Sequence, residues 1–341
     1  MTRLGSGAQA VTIAEPGWRN PVWLPVAGPS ASWALSTIGL FSCHAAARRV
    51  HALGMGDLKG AWLRWDHPTM GVWGGVIKRT PTETAAGTME LSADSFHVNL
   101  KGVRTPITLQ TATGAPGSLA LRLVRDSPTD RRLWYDDVQA DSGGRALRLD
   151  LRGDDLYDTI SSLAEQNGHE WDVTVDSDGA ISWQFRRHCG EDKTGSVLLA
   201  EGLNVVGGSI APTIDELVND ILAVAEGDDW VTAPKTRVQD PDSVLAYGRA
   251  AVTRQYAGSP GLASLVSRAR ADFDLDAEPA VAVAVTVPEN DPILRDVRQG
   301  DTVRLWSARQ NARYRFRVVS RSVDAGEGVA KLGGDATVEE A

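Results

Sequence analysis

Hydrophobic and polar residues alternate along much of this chain, and that pattern predicts β-strands with one buried face. Residues 88–93 show it most clearly, because Met89, Leu91 and Ala93 alternate with polar neighbours. Helical periodicity is rarer, so the pattern as a whole indicates a mainly β protein with an α+β insertion.

The first strand-rich region is predicted over residues 35–110. Its segments 61–65 and 71–77 are two strands joined by a proline-containing turn. Gly74 and Gly75 interrupt the second strand and predict a bulge or a sharp bend. Short strands at this spacing favour a small β-barrel or a sandwich.

A mixed module is predicted over 111–195. Residues 119–124 and 146–151 are predicted as strands. A helix then begins at Asp154 or Asp155, carries an apolar residue every three or four positions, and ends at the glycine at 168. After it, 171–175 and 181–185 alternate on either side of an Asp-Ser-Asp-Gly turn, which is typical of a β-hairpin.

The region 196–341 is predicted to return to β structure, with a helical insertion at about 240–275. Residues 213–216 fit a helix capping box, whereas 218–224 also fit a strand, and periodicity alone leaves the two open. Within this region we predict two helical segments, at 243–255 and 261–273, and four strands, at 280–287, 302–306, 314–319 and 328–332.

Residues 1–34 contain four prolines and three tryptophans. Prolines at this density exclude a helix and disfavour a central strand. We therefore predict an extended N-terminal arm that lies on another surface.

Composition and charge exclude several classes of protein. The 341 residues are 42% hydrophobic and 23% charged, as in an ordinary folded protein, and the net charge is −9. A dedicated nucleic-acid binder or an anionic-membrane binder would carry a basic face, so the acidic net charge argues against both classes.

No apolar run approaches the roughly 20 residues of a membrane span, and no signal peptide is visible. Two cysteines cannot form a disulfide scaffold, so we expect a reducing compartment.

The chain contains 11 tryptophans, although aromatic residues make up only 6% of it. Six of them fall within the first 73 residues. Wide side chains of this kind fill barrel cores or anchor interfaces, and core filling is the preferred interpretation.

Catalytic and cofactor motifs fail when their full patterns are tested. The Gly-Met-Gly at 54–56 lacks its third glycine and a βαβ context, and the Lys-Thr-Gly at 193–195 lacks a Ser-x-x-Lys partner. The acidic turn at 176–179 lacks two ligand positions of an EF-hand. The tripeptide Arg-Gly-Asp at 152–154 is too short to indicate adhesion.

Two further patterns concern metals and acids. Cys43-His44 and His188-Cys189 have zinc-like side chains, but adjacent residues in an extended chain point to opposite faces. Paired aspartates at 136–137, 154–155 and 228–229 could serve a glycosidase, yet 44 acidic residues make such pairs common by chance. We predict no catalytic, cofactor-binding or metal-binding residues, and no enzyme.

Four segments, in this order and spacing, resemble one family. The sequence resembles phage tail hub proteins, also described as tail-tip or minor tail proteins, and is similar to the central baseplate hub of contractile tails. The segments are WGGVI at 73–77 with MELSAD at 89–94, EGLN at 201–204 with LVNDI at 217–221, DSVLAYGR at 242–249, and QGDTVRL at 299–305.

The resemblance implies two small β-barrels in each subunit, placed at 35–110 and within 196–341. Three subunits would then form a ring with pseudo-sixfold symmetry around a channel. The resemblance also implies that residues 218–224 form a strand, which settles that segment against the capping box.

The implied function is structural. Such a homotrimer caps the tail tube, contacts the distal tail protein or tube ring, the tape-measure protein and receptor-binding or tail-spike components, and lets DNA pass through its channel without stable membrane insertion. It is assembled in the bacterial cytoplasm and ends in the virion tail tip. The alternative interpretations are a glycan-binding tail protein with exposed tryptophans and a cell-wall-degrading tail protein.

Overall fold

A computed structural model describes residues 9–54, 58–79, 82–84, 86–106, 111–127, 135–143, 146–213, 217–225, 232–256, 262–276 and 280–339. The chain divides into two compact units. The first unit comprises Met1–Gly208, Val285–Gly334 and Glu339–Ala341, and the second comprises Ser209–Ala284 and Asp335–Val338.

The N-terminal part of the first unit is a closed ring of six strands. Each of β1, β4, β5, β7, β3 and β2 pairs with the next in that order, and β2 pairs back with β1. The elements of this part are β1 (Gln9–Glu15), β2 (Arg19–Ala34), β3 (Leu40–Ala46), α1 (Ala47–His51), β4 (Trp62–His67), β5 (Gly71–Ile77), β6 (Thr82–Glu83), β7 (Thr88–Ser95) and a 3₁₀ turn (Phe96–Leu100).

Aromatic side chains fill this part of the unit, as the tryptophan content predicts. Trp65 and Trp73 are directly opposite each other on β4 and β5, and both are 1% exposed. The ring of Phe41 lies 5.6 Å from Trp65 and 5.1 Å from Trp73, centroid to centroid. Core filling is therefore confirmed for these tryptophans.

The glycines at 74 and 75 lie where neighbouring chains approach closely. The β4–β5 register is continuous through both, so of the two predicted alternatives the bulge is wrong, and the sharp bend stays a prediction. A Cβ on Gly75 would lie 2.2 Å from the Asp94 carbonyl oxygen, and one on Gly74 would lie 2.6 Å from Val175 Cγ2. Close approach of neighbouring chains is what requires glycine here.

The predicted extended arm is wrong for residues 9–34, which form β1 and β2. Residues 19–26 of β2 pair with β1, whereas β3 pairs with β2 only from Val26 onward. Pro21 and Pro25 thus lie in a segment of β2 that has a partner strand on one side only. Proline has no backbone N–H, and residues an even number of positions apart in a strand face the same side, so both absent N–H groups fall on one edge. Pro29 follows Gly28, whose φ of +55° accompanies the register shift between β2 and β3.

The middle of the chain is the predicted α+β module. Its elements are β8 (Thr111–Gly114), α2 (Pro116–Asp126), β9 (Asp137–Ala140), β10 (Leu147–Asp150), α3 (Leu156–Gln166), β11 (Glu170–Val175) and β12 (Ile181–Arg186). The hairpin β11–β12, the strand at 147–150 and the helix capped by Asp155 are confirmed.

One prediction in this module is wrong. Residues 119–124 are helical rather than extended. Pro116 stands at the first turn of α2, and Leu119, Ala120, Leu123 and Val124 are among its buried residues. That spacing is the helical pattern of one buried face.

The remaining elements are β13 (Leu198–Ala200), β14 (Gly207–Thr213), β15 (Asp220–Ala225), β16 (Lys235–Gln239), α4 (Pro241–Tyr247), β17 (Ala251–Tyr256), α5 (Leu262–Asp276), β18 (Ala280–Pro288), a 3₁₀ turn (Pro292–Arg295), β19 (Thr302–Ser307), β20 (Ala312–Asp324) and β21 (Val329–Val338). β20 pairs with β2 and β19, the order continues from β20 through β21 and β18 to β14, and β13 pairs with β19. The strands predicted at 280–287, 302–306, 314–319 and 328–332 are confirmed.

The second unit contains the three-stranded sheet β16-β15-β17 with α5 packed on it. Ile221, Ala223, Leu265 and Ala269 belong to its core. The strand implied for 218–224 is confirmed as β15. The alternative prediction, a helix that begins at the capping box and continues to residue 222, is wrong. Residues 214–216 of that box lie outside the described residues.

The two helices predicted beside that sheet have different outcomes. The helix predicted at 261–273 is confirmed as α5. The helix predicted at 243–255 ends at Tyr247, because Gly248 follows with a φ of +84° and residues 251–256 form β17 in parallel with β15.

Candidate functional site

A cavity of about 760 Å³ opens in the first unit. Its wall combines the strand ring, the hairpin β11–β12, and the segments around 190–193 and 298–301. Trp33, Trp73 and Arg321 are among the lining residues. Widely separated parts of the chain therefore meet at this cavity.

A chain of buried hydrogen bonds crosses the cavity wall. Ser95 Oγ lies 3.0 Å from His97 Nδ1, and His97 Nε2 lies 3.1 Å from Asp172 Oδ1. The Gln299 amide donates to the other Asp172 oxygen over 3.1 Å, and the Gly39 N–H donates to Ser95 Oγ over 2.9 Å. With the His97 proton on Nε2, Nδ1 accepts from the serine hydroxyl. The Val173 N–H, which lies 3.1 Å from Nε2 and 2.9 Å from Asp172 Oδ1, then donates to the carboxylate.

Serine, histidine and aspartate connected in this way are also the side chains of a nucleophilic hydrolase. Here the Ser95 hydroxyl is held on both sides, by Gly39 and His97, and Ser95 is only 8% exposed. The geometry is that of a structural link. It joins the strand ring, the hairpin through Asp172, and the 298–301 loop through Gln299.

A second buried carboxylate organises the loop beside this link. Asp301 is 1% exposed and accepts from Lys193 Nζ over 2.9 Å. It also accepts the backbone N–H groups of Glu191 at 2.9 Å and Arg298 at 2.7 Å. The lysine of the Lys-Thr-Gly at 193–195 therefore forms a buried ion pair with Asp301.

Arg321 is the most deeply buried cation in the wall. It is 3% exposed, and its guanidinium donates to the carbonyl of Met70 over 2.5 Å and to that of Val297. The guanidinium carbon lies 5.3 Å from the centroid of Trp33, the residue opposite Arg321 in the β2–β20 pair. Burial lowers the pKa of Arg321 to about 10, so it stays charged at neutral pH.

The cysteine and the histidine of each candidate metal-ligand pair differ in burial. Cys43 and Cys189 are free thiols in the core, whereas His44 and His188 are exposed. Burial raises the pKa of Cys43 to about 12 and raises that of Cys189. Within the described ranges no group of three or more histidine, cysteine, aspartate or glutamate side chains could hold an ion. The prediction of no metal site stays a prediction.

The paired acids have local structural partners. Asp155 accepts the Tyr157 N–H at the start of α3 and the Gly102 N–H, and Asp136 accepts the Ile181 N–H. The pair at 228–229 and the glycine motif at 55–56 lie outside the described residues.

Some apolar side chains remain exposed. Trp23 on β2 is 72% exposed and Leu203 is 78% exposed in the first unit. Leu203 lies in a turn held by Asn204, whose side chain bonds Ala200 N and the Leu198 carbonyl. In the second unit Leu245 on α4 is 87% exposed.

Comparison with known proteins identifies the fold. A scan of family models and a search of curated proteins find no match to this sequence. Among solved structures, a tail protein from Neisseria meningitidis MC58 matches with a TM-score of 0.63 and 15% identity, covering 98% of this chain and 97% of that one.

Two further structures are similar over nearly their whole length. The 43 kDa tail protein of prophage MuSo2 from Shewanella oneidensis has a TM-score of 0.62 and 13% identity, with 97% and 98% coverage. Prophage tail protein gp18 from Listeria monocytogenes EGD-e has a TM-score of 0.59 and 13% identity, with 95% and 94% coverage. The chain therefore has the fold of phage tail proteins, as the sequence resemblance predicts.

Proposed function

We propose that this protein is a structural component of a phage tail, a trimeric hub that caps the tail tube. One observation carries the proposal. Three tail proteins, two of them from prophages, share the fold over at least 94% of both chains, which leaves no large part of this chain to a different architecture.

The closed strand ring supports the two-barrel arrangement on which the hub depends. We assign the first barrel to this ring and the second to β13, β14 and β18–β21. Three subunits with two barrels each present six similar elements around one axis, which suits a sixfold tail tube. On this proposal, the module at 111–195 and the 240–275 segment are insertions.

A cyclic trimer has heterologous contacts, so each subunit must offer two different surfaces. Trp23 and Leu203 are exposed at different places in the first unit, on β2 and on the turn after β13. We assign one of them to each side of the subunit contact. Burying an exposed leucine contributes roughly 1.5–3 kcal/mol, enough for a few such anchors to matter.

The proposed partners are the distal tail protein or tube ring, the tape-measure protein and receptor-binding or tail-spike components. DNA would pass through the channel, and a net charge of −9 disfavours its adhesion to the protein. Among the described residues, none of the helices has the length and apolar character to cross a bilayer. We place the protein in the virion tail tip, after assembly in the host cytoplasm, with no enzymatic role.

The glycan-binding alternative requires several exposed tryptophans. Trp134 and Trp230 lie outside the described residues, and of the other nine only Trp23 is exposed. One exposed indole is a poor platform for a sugar chain, so the hub is the favoured function.

Electron microscopy of the purified full chain tests the proposal. We expect class averages of a ring with threefold symmetry, six similar densities and a central opening. Compact particles without an axial opening, in the presence of a stable oligomer, would contradict it.

A further inference from the structure

The cavity in the first unit has the size of a ligand site. Its volume of about 760 Å³ falls within the roughly 300–1,000 Å³ that is typical of small-molecule pockets. Trp33 provides an aromatic surface, while Gln184 and Gln299 add amide groups to the lining. The charged residues of the wall decide which chemistry it favours.

The acidic groups in the wall are largely occupied by donors from the protein. Asp172 accepts from His97 and Gln299, and Asp301 accepts from Lys193 and two backbone N–H groups. Asp176 accepts the N–H groups of residues 178 and 180 at 2.8 Å each. The fourth acid, Glu191, has a side chain that is 78% exposed to solvent. The two buried carboxylates of the wall, those of Asp172 and Asp301, are therefore occupied by donors of the protein.

The guanidinium groups of Arg298 and Arg321, in contrast, have N–H donors without a partner. In the part of the chain that the structure describes, the guanidinium of Arg321 donates to backbone carbonyls and forms no ion pair, and its buried Nε has no hydrogen-bond partner. Arg298 is exposed and lines the same cavity, and its guanidinium makes no hydrogen bond or ion pair with a described residue. Each guanidinium carries five N–H donors, so donors are in excess.

The two arginines also repel each other. The positive charge of Arg298 contributes to lowering the pKa of Arg321, which places the two charges within electrostatic reach. Asp301, whose effect on that pKa is larger than that of Arg298, and Asp172 act in the opposite direction. An anion near both guanidiniums would accept hydrogen bonds from their unused donors.

We propose that this cavity binds a ligand that carries an oxyanion, a carboxylate or phosphate group, with Arg298 as the contact at its mouth and Arg321 as the buried charge behind it. The volume exceeds that of a single small ion, so the rest of the ligand lies against Trp33 and the glutamine amides. The inference does not depend on the trimer, because all the lining residues belong to one chain.

Calorimetric titration of the full chain with citrate and with inorganic phosphate tests the proposal, with sodium chloride at equal ionic strength as the reference. We expect saturable binding and a higher melting temperature with at least one of the two anions. Tighter binding of citrate assigns a carboxylate ligand, and tighter binding of phosphate assigns a phosphate ligand.

Two exposed arginines of one segment provide matched variants. Arg298→Ala should weaken binding at least tenfold, whereas Arg295→Ala, which changes an arginine that does not line the cavity, should bind as the unaltered protein does. Arg321→Lys keeps a buried charge but loses the planar fork, and we expect intermediate weakening. Absence of saturable binding to the unaltered chain, or equal loss in both alanine variants, would overturn the proposal.

Discussion

The indole Nε1 of Trp18 donates a hydrogen bond to the carbonyl oxygen of Gly179 over 2.6 Å. This contact ties the turn between β1 and β2 to the turn of the hairpin β11–β12, 161 residues further along the chain. The Trp18 ring also lies 5.2 Å from Trp62 and 6.0 Å from Phe96, edge to face in both cases. The N-terminal hairpin is thus anchored in the core of the module.

Trp18→Ala should therefore destabilise the protein by about 3 kcal/mol, because it removes aromatic packing together with a long-range hydrogen bond. Urea unfolding measures the change. Trp23→Ala is the matched control, since Trp23 is 72% exposed, and its effect on an isolated subunit should stay within about 0.5 kcal/mol. Equal effects of the two substitutions would show that the Trp18 contact is not stabilising.

The link between His97 and Asp172 predicts energetic coupling between the strand ring and the hairpin. Asp172→Asn should cost about 1–3 kcal/mol, because it leaves buried groups imperfectly paired. A double-mutant cycle with His97→Gln should give a coupling energy of 0.5 kcal/mol or more, by the approximate range for contacting residues. Asp178→Asn, in the exposed turn of the same hairpin, is the control and should be near neutral. Additive single effects would contradict the link.

Gly300 is predicted to be intolerant of a side chain. Its φ is +90°, and a Cβ would lie 2.0 Å from the carbonyl oxygen of Cys189. Gly300→Ala should therefore cost at least about 2 kcal/mol and distort the loop that holds Asp301. Gly195→Ala is the control, because no atom lies within 4 Å of its added methyl group. Similar melting temperatures for the two variants would refute the close contact.

Acid should destabilise the protein through His67. Burial, followed by the charge of Arg321, lowers the pKa of His67 from 6.5 to about 4, while its Nδ1 accepts the N–H groups of Thr69 and Met70. The unfolded chain binds the proton at a higher pH than the folded one. This contribution is therefore complete above pH 6.5 and is lost as the pH falls towards 4, by up to about 3 kcal/mol.

Two carboxyl groups modify that profile. Bonds from Arg309 lower the pKa of Glu201 to about 2, so its stabilising contribution is lost as the pH falls from 4.5 towards 2. Burial raises the pKa of Glu289, which favours the folded state at low pH and opposes the trend.

A substitution at His67 tests its part in the acid sensitivity. Unfolding free energies between pH 7 and 4 should vary less in His67→Gln than in the exposed control His44→Gln. An unchanged slope in His67→Gln would exclude His67 as the cause.

Most of the strand pattern could be predicted from the sequence, because half-buried strands carry a two-residue period that is visible locally. The errors arose where local rules compete with tertiary context. Pro21 and Pro25 argue against a strand only if the strand is central, and a single sequence does not reveal which edge stays unpaired. Leu119 to Val124 has a helical spacing that a short apolar run obscures.

The cavity could not be predicted, because its residues are distant in sequence. Asp172 lies 75 residues from His97 and 127 from Gln299. Gln299 begins the QGDTVRL segment, but no spacing rule connects it with His97 or Asp172. Arg321 has the same two-residue phase as Arg313 and Arg315, which are exposed, so alternation along β20 would have placed it on the outer face.

The proposed subunit contacts make a prediction about Leu203 and Trp23. A charge at either position, Leu203→Asp or Trp23→Asp, should weaken trimer formation at least tenfold, because an unpaired charge would be buried in the contact. Sedimentation velocity measures the change. Lys331→Asp, on an exposed part of β21, is the control for altered charge. Trimers of normal stability from both variants would remove these two side chains from the interface.

The mass of the full chain in solution tests the hub most directly. Light scattering over a range of protein concentrations should give a trimer of three times 36.5 kDa, or a monomer that approaches that mass as concentration rises. A dimer or tetramer whose mass does not change with concentration would contradict the threefold arrangement and, with it, the assignment of this chain as a tail hub.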